Sequence, residues 1–272
     1  MFYCQKSIFC NSLHTYTHNA EYVSESKGEF SMNVNSSNYK LSVYDYLKKK
    51  ILNCEIMPGE DISEKDLITN SGFSRTPIRE AIILLQAENL IEVIPRRGTY
   101  AKGINKKQIL DLYDLRKRIE PSVAVNSRRN INLIDLIKLD KTFKDLSHNS
   151  ASTKQEFCKY DLDFHSFIIA SSQNQLLINM LQPIFQEVYR IGIYNAINET
   201  GNSMTKTYHG HHNIVTAILE ENDTKLQNAF YAHLNQSLIA TLEAIEKANK
   251  TSVAHSVPHQ SEPLFSENNT TL

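Results

Sequence analysis

The chain is short of cysteine, carries almost no net charge and has no long apolar run, and each shortage removes a class of protein. Its four cysteines, Cys4, Cys10, Cys54 and Cys158, lack the paired spacing of a disulfide framework, which fits a reduced, cytoplasmic protein. Cys4 and Cys10 with His14 and His18 match no known zinc-finger spacing either. No stretch approaches the roughly eighteen apolar residues that a membrane span needs, and the N-terminus lacks a signal-peptide core. Neither membrane insertion nor export is expected. The formal net charge is -1. Between Leu41 and Gly103 nine Lys and Arg stand against nine Asp and Glu. Any affinity of that region for nucleic acid must therefore come from local groups rather than from a basic surface.

What is present divides into four stretches. Residues 1–40 are rich in Ser, Asn, Tyr and His, show no period and are expected to be disordered, as is the tail over 250–272. Met32 is an alternative start, which would leave residues 1–31 untranslated. Residues 41–103 predict a winged helix-turn-helix, and 104–249 an antiparallel all-α bundle, so the fold class is mainly α.

In the first folded stretch, Ser42 to Asn53 predicts a helix with Val43, Tyr46, Leu47 and Ile51 on one face and Lys48, Lys49 and Lys50 in solvent. Ser63 then caps a short helix, Gly72 supplies a sharp turn, and Ser74 caps a second helix that tolerates Pro77 in its first turn. Ile78, Ile82, Leu85 and Leu90 form the apolar face of that helix, which leaves Arg75, Thr76 and Arg79 exposed at its front. An arginine there can bridge O6 and N7 of guanine or clamp phosphate, and a Thr methyl can meet thymine. Leu90 to Ile94 and Gly98 to Ala101 predict two strands around a Pro95-Arg96-Arg97 tip, a basic wing.

The string SRTPIREAIILLQAENLI, preceded by PGE and followed by RRGTY, resembles the DNA-binding head of the GntR family of bacterial transcription regulators. The resemblance implies that Arg75, Thr76 and Arg79 read a double-stranded operator, with Arg96, Arg97 and Gly98 in the wing.

Beyond Asn105, which with Gln108 resembles a capping box, helices are expected at about 106–129, 133–147, 153–172, 175–197, 203–221 and 224–248. Leu110, Leu112, Leu115, Ile119 and Val123 give the first its apolar stripe. Asp161 and His165 stand one helical turn apart between Phe164 and Ile168, His211 shares a stripe with Ile214 and Ile218, and His233 follows Ala229 and Phe230. Three inward faces thus each offer a polar ligand. Buried imidazoles beside a buried carboxylate are costly unless something pairs them, and a divalent metal does so. Three His and one Asp suit zinc, nickel, iron or manganese and leave a position for water or a ligand oxygen. Counting back from Ile214 selects His211, whereas His212 would point about 100° around the helix.

The strings DLDFHSFIIASSQNQLL, HHNIVTAI and AFYAHL resemble the signatures of the FCD effector-binding domain of FadR-like GntR regulators. The resemblance implies that Asp161, His165, His211 and His233 hold the metal. LYDLRKRIEPSVA resembles the start of that domain, and Arg116 then corresponds to a clamp for an effector carboxylate; an ion pair with Glu120, one turn on, is the other reading. Tyr189, Arg190 and Tyr194 fit a cavity wall or a core stripe. The function expected is that of a homodimeric, non-enzymatic regulator on a palindromic operator, answering to a small organic acid. A metal-sensing regulator and a metal-dependent hydrolase are the alternatives.

Overall fold

The computed structural model describes residues 36–149, 152–198 and 204–255. Chain order begins with α1 (Ser36–Leu52), α2 (Glu64–Ser71), α3 (Arg75–Ala87), and the strands β1 (Ile91–Ile94) and β2 (Gly98–Ala101). The bundle follows as α4 (Lys106–Ser127), a 3-10 turn (Arg128–Asn130), α5 (Leu133–His148), α6 (Lys154–Ala170), α7 (Gln175–Asn198), α8 (Met204–Leu219) and α9 (Asp223–His255). The first and last helices run further than expected: α1 starts at Ser36, inside the stretch read as disordered, and α9 continues to His255.

The head closes around Leu47, Ile51, Ile78, Ala81, Leu85 and Ile91, all nearly inaccessible. Tyr44, not Tyr46, joins Val43 on the buried face of α1; Tyr46 stays 39% exposed. Lys48 is buried as well, against the expectation of a solvated lysine run. Its ammonium meets Glu88 at 2.6 Å and the Tyr44 hydroxyl at 2.8 Å, so its charge is matched rather than solvated. Ser63 caps α2 by accepting from the Asp66 amide, and Gly72 ends that helix at φ 70°, a left-handed geometry that glycine adopts without strain. Ser74 occupies the N-cap position of α3, but its side chain makes no capping bond, which corrects the expected cap.

The strands pair antiparallel with Ile91 opposite Ala101 and Ile94 opposite Gly98. A third extended segment lies along β2, with Ile62 donating to Thr99 O at 2.7 Å and Ala101 to Glu60 O at 2.9 Å. Gly98 is required twice over, since its φ is +137° and a Cβ there would come within 3.0 Å of Asp61 Oδ1.

In the bundle, α4 packs against α9, α6 against α7, and α8 against both α9 and α5. One core joins Leu136, Phe164, Ile168, Ile214, Ile218, Leu226 and Phe230 from four helices. The buried line of α4 is Ile109, Tyr113, Arg116, Glu120 and Ala124. Of the expected stripe, Leu112 is buried and Ile119 and Val123 pack against a core, while Leu110 is 42% exposed. Arg116 and Glu120, which neutralise each other, extend the buried face where a polarity pattern places them outside. Asn105 does cap α4, accepting from the Gln108 amide, but the Gln108 side chain leaves the cap for Glu187 on α7. The cap of α6 is Thr153, in a full capping box with Glu156, so the helix begins at Lys154, one residue after the expected start. Asn222 accepts from the Lys225 amide at the start of α9; Ser203, expected to begin α8, lies outside the described residues.

Candidate metal centre and DNA-binding face

Three bundle helices bring four side chains to one point. The i, i+4 spacing on α6 stacks Asp161 below His165, α8 adds His211 and α9 adds His233. One donor atom from each lies within 4.8 Å of all the others. His165 Nε2 is 3.1 Å from His233 Nε2 and 3.2 Å from His211 Nε2, which is itself 3.2 Å from Asp161 Oδ1. The imidazoles are at most 3% exposed, while the Asp161 side chain keeps 22% of its surface open. Phe143 and Phe164 lie against the His211 ring, and Phe185 and Phe230 flank that of His165. The cluster is therefore dry on its aromatic side and open at its carboxylate.

The geometry can be tested against an ion. Donor atoms held about 2.1 Å from a common ion and about 90° apart lie ~3.0 Å from one another, near the spacing of the three closest contacts. Without an ion, each close pair of imidazole nitrogens needs a proton between them, because two facing lone pairs repel. Glu120 points to which nitrogens carry protons. Its Oε2 lies 2.6 Å from His165 Nδ1, at an angle too steep for a well-aligned hydrogen bond. A carboxylate so close still favours the proton on Nδ1, and the lone pair of Nε2 then points into the cluster. His211 Nδ1 is the loose end, buried with no hydrogen-bond partner.

Electrostatics agree with neutral imidazoles beside an ionised carboxylate. Burial, reinforced by the adjacent rings, drives the pKa of His233 well below that of an ordinary histidine. Burial also lowers that of His211, against the raising effect of its bond to Asp161. Asp161 is pushed up by burial, but the hydrogen bond from His211 and the neighbouring imidazoles outweigh this and hold it below the usual carboxylate range. Glu120 behaves alike: burial raises it, Arg116 and His165 lower it further, and it settles at about 2.

Arg116 lies fully inside the bundle with its Nε 2.5 Å from Glu120 Oε1, so the ion pair read as an alternative is present. Its charge favours ionisation of Tyr113, against the burial that raises that group's pKa, and it depresses both His211 and His233. His212 faces outward to Asp140 at 3.0 Å, about 100° around α8 from His211. Tyr189 and Arg190 line no part of the cluster. Tyr189 donates to Asn53 Oδ1 at 2.8 Å and Arg190 to Lys102 O at 2.6 Å, both in the head, so these residues form the joint between the domains. Glu120 is visible in the sequence only as a partner of Arg116; its contact with His165, 45 positions on, has no local signal.

On the head, Arg75, Thr76 and Arg79 are exposed along the first turns of α3, and Arg96 and Arg97 at the wing tip. Gly98 opens β2 directly behind them. Arg79 Nε meets Glu64 Oε2 at 3.2 Å across the α2–α3 cleft, an acidic partner the sequence reading did not include. With no side-chain cap from Ser74, the first amides of α3 face solvent beside these arginines.

Residues 40–101 match the family described as bacterial regulatory proteins, gntR family, and residues 111–236 match the FCD domain. The chain is 28% identical over 202 residues to YdhC, an HTH-type transcriptional regulator of Bacillus subtilis, covering 72% of this chain and 88% of that protein. It is 25% identical over 209 residues to the HTH-type transcriptional repressor RspR of Escherichia coli, covering 76% and 90%. The solved structure of a GntR transcriptional regulator from Rhodococcus superposes with a TM-score of 0.66 at 17% identity, over 76% of this chain and 99% of that one. That likeness speaks for the fold.

Proposed function

Since the chain is a GntR-type regulator that joins a helix-turn-helix domain to an FCD domain, we propose that it is a ligand-responsive transcription factor whose bundle binds a small carboxylate through a divalent metal. The observation that carries the ligand reading is the convergence of Asp161, His165, His211 and His233 on one point, at separations suited to an ion. A divalent ion there supplies positive charge and an open position for a ligand oxygen.

The charges of the site select the ligand class. Arg116 contributes one positive charge and Glu120 and Asp161 one negative charge each. The set carries one net negative charge, which a divalent ion turns into one net positive. A monoanionic carboxylate brings the buried site to neutrality, the condition under which burying charge is least costly. Glu120 takes Nε of Arg116 and reaches Nη2 at 3.5 Å, so a ligand carboxylate would meet the guanidinium through Nη1. Phe143, Phe164, Phe185 and Phe230 exclude water behind the imidazoles, so the ligand enters at Asp161.

For DNA, Arg75, Thr76 and Arg79 enter the major groove and Arg96, Arg97 and Gly98 approach the adjacent backbone or minor groove. Two copies bind a palindrome as a cytoplasmic homodimer. Among the described residues no helix is long and apolar enough to cross a membrane. Helix α7 touches both ends of the circuit, through Phe185 beside His165 and through Tyr189 and Arg190 against the head. Differential affinity of the ligand for two placements of the head is all that control requires.

The test is elemental analysis of purified protein with thermal melts against small carboxylates, with and without chelator. One metal per chain and a chelator-sensitive rise in melting temperature for a monocarboxylate are expected. Metal without any organic-acid response would indicate a metal sensor instead, and no metal would remove the centre altogether.

A further inference from the structure

Gly210 lies inside α8, next to His211, with no left-handed backbone to explain a glycine. Mid-helix glycine is disfavoured against alanine, so something else must hold it there. A Cβ built on Gly210 would meet His233 Nδ1 at 2.7 Å, Cγ at 3.4 Å and Cβ at 3.5 Å. The three nearest atoms all belong to one side chain, that of His233. Nδ1 is too close for a contact while Cγ and Cβ sit near ordinary van der Waals distance, so the ring must turn about its Cβ–Cγ bond or the helix carrying it must move. Either movement carries Nε2 away from His165, 3.1 Å off, and from the His211 ring, whose centroid is 4.3 Å away.

We propose that Gly210 is a positioning residue of the metal centre, its missing side chain being the space that His233 fills when its Nε2 faces the other three ligand atoms. The inference rests on the metal reading above. It concerns the residue before a ligand rather than a ligand, and it makes the fourth donor depend on the absence of one methyl group. Helix α8 then serves the centre twice, giving the His211 ring and yielding the room for His233.

A double-mutant cycle separates this from simple helix packing. Wild type, Gly210→Ala, His233→Ala and the double variant are compared by Zn2+ affinity in chelator competition and by melting of the metal-free proteins. Co2+ absorption bands report the ligand set directly. In the wild-type background Gly210→Ala is expected to weaken Zn2+ binding about 10- to 100-fold, the range for disturbed support of a ligand, and to alter the Co2+ bands. In the His233→Ala background the same change should leave Zn2+ affinity and the bands as they are and keep or raise the melting temperature. Equal weakening in both backgrounds, a lower melting temperature in the double variant than in His233→Ala, or unchanged binding by Gly210→Ala would each overturn the proposal. If wild type takes up neither Zn2+ nor Co2+, the metal reading falls and this inference with it.

Discussion

Glu120 stands between a guanidinium and an imidazole, and its removal tests both contacts separately. Glu120→Gln leaves Arg116 buried without a counter-charge and should destabilise the metal-free protein by about 3 kcal/mol, read from urea unfolding. It should also weaken metal binding, because His165 loses the carboxylate that favours its Nδ1 proton. Unchanged stability would mean that Arg116 finds another partner. The pH response follows from the same residues. His211 and His233 have depressed pKa values when folded, so below about 6.5 the unfolded chain binds more protons than the folded one. Stability of the chelated protein should therefore be highest above that pH and fall as pH drops through it, with His233→Ala flattening the fall. Glu120, at about 2 when folded, adds stability present above its ordinary value of 4.5 and lost below it. A melting temperature that is level from pH 8 to pH 5 would contradict this. At this scale the cluster was legible because a His or Asp at helical spacing among apolar residues is conspicuous. Glu120, Glu64 and Gly210 were not. Their importance lies in partners 45, 15 and 23 positions away along the chain, and no local period carries that.

At the scale of the element, α8 sorts two adjacent histidines to different faces. His211 is 1% exposed in the cluster, and His212 meets Asp140 outside. His211→Ala should lower metal content sharply while His212→Ala leaves it near wild type, measured by elemental analysis; the reverse order would mean that the helix is turned by one residue. Helix α3 makes the matching case in the head. Arg79 lies on its solvent side, so Arg79→Ala should remove operator binding in a mobility-shift assay with little change in melting temperature. A collapse in melting temperature would show that the Glu64 contact supports the fold. Helix positions were readable from caps and turns, and Asn132 accepts from both the Ile134 and Asp135 amides where a start was expected. Faces were less so. The buried face of α4 is wider than its apolar stripe, and α1 turns Tyr44 inward rather than Tyr46, because Lys48, Arg116 and Glu120 are buried as matched charges, which a polar-outside rule assigns to the surface.

At the scale of the molecule, the two-part architecture follows from the change of pattern near Gly103, but the seam between the parts does not. Arg190 is completely buried, donating to Lys102 O and to both oxygens of Glu187, which also accepts from Gln108. The Cys54 thiol lies 3.5 Å from Arg190 O, and burial pushes its pKa up to about 11. Arg190→Ala should strand Glu187 and free the strand end, so tryptic cleavage after Lys102 in the native protein should accelerate several-fold; an unchanged rate would mean that the joint is held elsewhere. A short stretch such as Lys102 to Asn105, with Gly103 in it, looks like a tether in sequence, and only the fold shows it clamped. Heads of this kind invite transplantation, one operator specificity exchanged for another on the same sensor. Here the cut cannot be made cleanly in the joint. A grafted head would need an amide side chain in place of Asn53, a small buried group in place of Cys54 and a carbonyl presented as Lys102 presents it; without them the buried Arg190 guanidinium would keep Glu187 and lose its anchor on the head.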